Sequence, residues 1–116
     1  KSGTVRNYYD EAKRNIESQI PNLLNVILDV KDYQEIKPIN VSMIYCDPPY
    51  NGTTKYKDSF DSDAFWQWCR DKAKEGHTVY VSEYNAPEDF KCIWEKQINS
   101  NLGGTSKTAT EKLFTI

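Results

Sequence analysis

One histidine, three cysteines, no surplus of positive charge and no long apolar run narrow what this 116-residue chain can be. Cys46, Cys69 and Cys92 are odd in number and widely spaced, which excludes a disulfide framework and a zinc-site pattern. They read as core thiols of a protein kept in a reducing compartment. No histidine lies near Cys46 in sequence, which argues against its use as a nucleophile. The single histidine, His77, falls at a helix-to-strand junction, where a surface role is expected. No metal site is expected. The formal net charge is −2, from 15 Lys and Arg against 17 Asp and Glu. A stand-alone nucleic-acid module usually carries a basic footprint, so if this chain acts on DNA most phosphate contacts come from elsewhere. No stretch approaches the roughly 20 apolar residues that span a bilayer. No signal-peptide pattern opens the sequence, and a cytoplasmic location is the expectation.

What is present is an ordinary soluble composition, 38% hydrophobic and 28% charged, without internal repeat or low-complexity tract. It suits one small domain over residues 1–116 with a modest core. Val5, Tyr8, Tyr9, Ala12, Ile16 and Ile20 recur at helical spacing, which predicts an amphipathic helix ending before Pro21. Asn25 to Val30 is dense in apolar residues and predicts a short strand buried on both faces. A second strand is expected from Val41 to Cys46. Ser62 can cap a helix running to Lys74, with Phe65, Cys69 and Ala73 one turn apart and Gly76 as its stop. Trp66 and Trp68 cannot both join that stripe. Thr78 to Ser82 predicts the next strand. Cys92, Trp94, Lys96 and Ile98 alternate with Ile93, Glu95 and Gln97, the period of a strand near an edge. Gly103-Gly104 marks a turn, and Lys112 to Ile116 a last strand pairing back as a hairpin. The order alternates early and turns antiparallel late, as in an α/β domain with a C-terminal antiparallel hairpin.

The most informative residues are Asp47-Pro48-Pro49-Tyr50, at the C-terminal end of the Val41 run. Open α/β sheets place ligands at such strand tips. The cluster suits chemistry on the exocyclic amine of a planar base. Asp47 can accept a hydrogen bond from the amine and the Pro48 carbonyl a second. Two acceptors pull the amino group out of conjugation and aim its lone pair outward. Tyr50 can stack on the ring. The prolines fix the backbone and have no N–H, so the loop shows carbonyls rather than donors. The alternative is a plain strand-terminating turn.

Together with Asp32-Tyr33, the run Ile44 to Tyr56, the segment Val81 to Pro87 and the late Glu111-Lys112-Leu113-Phe114, this motif resembles the C-terminal part of an N6-adenine DNA methyltransferase of the phage and prophage kind. The resemblance covers nearly the whole chain. It implies a partial Rossmann-like sheet, S-adenosylmethionine as cofactor, double-stranded DNA as partner through the complete protein, and a target adenine flipped out of the duplex. Carried over, Asp47, Pro48, Pro49 and Tyr50 are catalytic. Asp32 bonds the cofactor's adenine amine, Tyr33 packs near that ring, and Asp47 borders the cofactor. Asn51, Thr53, Thr54, Lys55 and Tyr56 contact the flipped base or its backbone. Asp32 also reads as a solvated acid, Tyr33 as core, and Lys55 and Lys57 as surface charges. Ser82 and Glu83 either line the pocket or cap a turn.

The departures matter as much. No Phe-x-Gly-x-Gly segment is present, although in the family that turn cradles the methionine end of the cofactor. The acidic residue that grips the ribose is also missing. Most of the sequence-reading insertion is absent, so residues 1–22 correspond to the helix after it, and a fragment inactive alone is expected. In the family two central strands separate the Val26 and Val41 strands. Without them, direct edge pairing, rearrangement or a homo-oligomer through exposed strand edges is expected. Two other readings stay open: an RNA-adenine or protein-amide methyltransferase, against which Asp47 leans because those relatives more often carry Asn there, and a non-catalytic interaction module.

Overall fold

A computed structural model describes residues 7–50, 60–100 and 107–116. Two compact units divide the chain, 1–33 and 34–116.

The first unit is built on helix α1, Tyr8–Gln19. Asn7 caps it: its side-chain oxygen accepts from the backbone N–H groups of Tyr9 and Asp10, at 3.2 and 3.3 Å. Asp10 and Glu11 in the first turn complement the positive end of the helix dipole. Pro21 falls in the 3-10 turn Ile20–Leu23 that follows, where a missing N–H does no harm. The amphipathic stripe that predicts this helix is present, yet α1 buries none of its residues.

The strand expected over residues 25–30 does not form. The backbone there is irregular, with Ile27 93% and Val30 99% exposed. Apolar density makes a segment fit for a sheet, but a strand exists only through a neighbour that takes its backbone groups. Here local bonds take them instead. The Val26 N–H donates to the Leu23 carbonyl at 3.0 Å, and the Val30 N–H to the Asp29 carboxylate at 2.9 Å. Lys31 closes an ion pair on Asp29 at 2.7 Å.

The second unit is mixed α/β. Strand β1, Met43–Cys46, leads through helix α2, Ser62–Lys74, to strand β2, Thr78–Ser82. Strands β3, Lys91–Ser100, and β4, Lys107–Thr115, form the expected hairpin. Sheet order is β1-β2-β4-β3. β1 and β2 are parallel, and β4 runs antiparallel to both β2 and β3. The hairpin therefore folds its last strand inside the sheet. Cys92 faces Phe114 and Trp94 faces Leu113, so a bulge at Ile93 breaks the expected alternation. Cys92 and Trp94 fall on opposite faces, and Cys92 is exposed rather than in the core.

The core is one face of the sheet against α2. Val79 and Val81 of β2 are fully buried beneath Phe65, Trp66 and Cys69, with Phe90 and Phe114 closing the sides. Trp66 meets Phe90 edge-on at 4.7 Å between ring centroids, while Trp68 is half-buried. Asp61 rather than Ser62 caps α2, accepting from the Ala64 N–H at 3.0 Å. Gly76 ends it at φ +95°, a left-handed conformation that favours glycine. His77 follows, and its side chain is 6% exposed instead of lying on the surface. Its Nδ1 accepts the Ser42 N–H at 3.1 Å, and the Ser42 carbonyl takes the Thr78 N–H at 3.0 Å. These bonds hold the start of β1 to the start of β2. Among the described residues no helix is long and apolar enough to cross a membrane.

Candidate active site

The parallel pairing of β1 and β2 sets their C-terminal ends side by side, Cys46 opposite Val81. Asp47 leaves β1 at that tip and is exposed. Pro48, Pro49 and Tyr50 follow, each half-buried. On the neighbouring strand Ser82 ends β2, and its hydroxyl shares a 2.7 Å hydrogen bond with that of Tyr45. Glu83 comes next and is 4% exposed. Its N–H reaches the Lys112 carbonyl of β4 at 3.4 Å.

Tyr50 is fixed twice. Its hydroxyl donates to Glu111 Oε2 at 2.7 Å, and its ring meets Tyr84 edge-on, with centroids 4.5 Å apart and planes at 80°. Burial pushes the Tyr50 hydroxyl well above the usual tyrosine range. The Glu111 hydrogen bond and charge, the Asp47 carboxylate and Tyr84 push the same way. The hydroxyl is therefore a neutral donor across the ordinary pH range, and the ring stays uncharged. Chemically, the corner offers an exposed carboxylate, a backbone without N–H at two successive positions, and an aromatic ring locked in orientation.

Asp47, Pro48, Pro49 and Tyr50 thus stand together, joined by Tyr84 and Glu111. Glu111 belongs to a segment that the family resemblance already covers, but its contact with Tyr50 spans 61 positions. No local pattern signals such a pairing. Asp32 and Tyr33 lie at the end of the first unit, Asp32 exposed and Tyr33 half-buried at the start of the 3-10 turn Tyr33–Glu35. Asn51, Thr53, Thr54, Lys55 and Tyr56 lie outside the described residues, as does Gly103-Gly104.

No curated protein and no solved structure is significantly similar to the chain. A family profile, that of the D12 class N6 adenine-specific DNA methyltransferases, matches residues 2–101. Its span takes in the whole acidic strand tip and most of the sheet around it, and the chain belongs to that family.

Proposed function

We propose that this chain carries the amine-binding part of a site that methylates adenine N6 in DNA, built on a Rossmann-like sheet and acting within a complete protein rather than alone. The observation that carries this reading is Asp47: exposed at a strand tip, followed by two prolines, and beside a tyrosine held at both hydroxyl and ring. An adenine extruded from the duplex would stack on Tyr50. The Asp47 carboxylate accepts one N6 hydrogen and the Pro48 carbonyl the other, turning the nitrogen lone pair outward. Asp47 then takes up the proton that the nitrogen sheds on methylation. Glu111 and Tyr84 keep the Tyr50 ring from rotating away.

When bound, S-adenosylmethionine supplies an electrophilic methyl carbon. Of the residues present, Asp32 and Tyr33 fit its adenine end: one is an exposed carboxylate, which suits an amine, and the other an adjoining half-buried ring, which suits a purine. The sequence offers no counterpart for its ribose and methionine ends, which supports inactivity of this chain by itself. Asn51, Thr53, Thr54, Lys55 and Tyr56 are the residues we assign to the DNA. We also propose that β1 pairs edge to edge with a second copy, because it is the outermost strand of the sheet among the described residues.

The missing glycine turn favours a second reading, a non-catalytic interaction module. Calorimetric titration with S-adenosylmethionine separates the two. Binding of about micromolar strength supports a usable cofactor site, and absence of heat supports the module. The catalytic assignment is tested in the complete protein by N6-methyladenine formation in an adenine-containing duplex. Asp47→Ala should abolish it. Retained activity in that variant would sink the assignment.

A further inference from the structure

The proposed amine seat is rich in acceptors and short of donors. Asp47 as a carboxylate and the Pro48 carbonyl only accept, and neither Pro48 nor Pro49 has an N–H. The Tyr50 hydroxyl is committed to Glu111 at 2.7 Å, and the Glu83 N–H to the Lys112 carbonyl at 3.4 Å. An extruded adenine offers two hydrogens on N6, but its ring nitrogens N1 and N7, on either side of that amine, are acceptors and call for a donor.

A hydroxyl pair stands level with Asp47. Val79 and Val81 are buried against α2, so Tyr80 and Ser82 turn to the opposite face of β2. Exposure alternates in step along β1: Met43, Tyr45 and then Asp47 at the tip are exposed, while Ile44 and Cys46 are half-buried. Cys46 is in register with Val81, so the next residues on the two parallel strands, Asp47 and Ser82, follow side by side. Tyr45 reaches forward along that face, and its hydroxyl meets that of Ser82 at 2.7 Å. Carboxylate and hydroxyls therefore share one face of one strand tip, where open α/β sheets place their ligands. The bond between the hydroxyls uses one proton of the two. The second is left to donate elsewhere, and the bond holds in place the oxygen that carries it.

We propose that the Tyr45–Ser82 hydroxyl pair donates to a ring nitrogen of the target base, N1 or N7, while Asp47 and Pro48 hold its amine. This rests on the adenine reading above and adds to it the residues that recognise the ring. One hydroxyl touches the base and the other positions it. A base with an acceptor at that place is bound, and a base without one leaves the hydroxyl unpaired.

The test uses the complete protein and duplexes in which 1-deazaadenine or 7-deazaadenine replaces the target adenine, each with a C–H in place of one ring nitrogen. Tyr45→Phe and Ser82→Ala should each lower kcat/KM on adenine about 2–10-fold. On one of the two analogues the same substitutions should have no effect, because the contact they remove is already missing. Duplex affinity is the second readout where an analogue is methylated too slowly to measure, and the same pattern in Kd is expected. Equal losses on adenine and on both analogues would overturn the proposal, since they mark a merely structural role. Unchanged kcat/KM and Kd on adenine would overturn it as well. Asp47→Ala keeps the two failures apart. If that variant is inactive while the hydroxyl variants lose uniformly, the adenine site stands and only the ring contact falls.

Discussion

Tyr50 concentrates the residue-scale argument, since one hydroxyl joins the proline corner to β4. Replacing it with phenylalanine removes a hydrogen bond to a carboxylate and leaves Glu111 without that partner. The expected loss is about 1 kcal/mol at neutral pH, measured by urea unfolding. The pH dependence has a definite sign. The folded state holds the Tyr50 proton more tightly than the unfolded chain does. Its contribution is therefore complete below the ordinary tyrosine value of about 10 and is lost as pH rises above it. Unfolding curves should fall more steeply at alkaline pH for the unmodified chain than for Tyr50→Phe. Parallel slopes would contradict the bond to Glu111. The corner itself is legible in sequence, because prolines and an acid after an apolar run have a strong local meaning. Its support is not, because Tyr84 and Glu111 are brought there by sheet pairing. His77 makes the same point: its junction is readable, but its burial depends on the Ser42 N–H across the sheet.

At the scale of elements, α2 was the most readable, because its apolar spacing, acidic start and glycine stop all agree. The cap is displaced by one residue, to Asp61, since aspartate and serine are both good caps and periodicity does not separate neighbours. Gly76→Ala should destabilise the fold by about 1 kcal/mol. The cost is conformational, because among the described residues an added Cβ would meet only Val41 Cγ2, at an ordinary 3.9 Å. Gly76→Asn should restore part of the loss, asparagine tolerating the left-handed region better. Equal stability of all three in thermal unfolding would remove the argument. Trp66→Ala, by contrast, opens the core beside Phe65 and Phe90 and should cost about 3–5 kcal/mol. The segment 25–30 shows the limit of element reading. Its residues match those of a buried strand, and only the absence of a pairing neighbour among the described residues separates it from one.

For the whole molecule, the parallel pair is covered on one face by α2, while Val41, Met43 and Tyr45 remain exposed. Parallel sheets are normally covered on both faces. If a second copy pairs at β1, sedimentation should show a dimer fraction that rises with concentration. Tyr45→Lys should suppress it by placing a charge at the edge. A chain that stays monomeric at every concentration would rule the pairing out.

The inward position of β4 bears on synthesis. β3 leaves the ribosome before the strand that flanks it on the inside, and β2 has only β1 beside it until then. While β4 is still in the exit tunnel, the emerged portion cannot seat Phe114 against the Val81 side of the core. Until β4 emerges β3 has no described strand to pair with, and the bonds from Leu113 to Thr115 are what join the hairpin to the parallel pair.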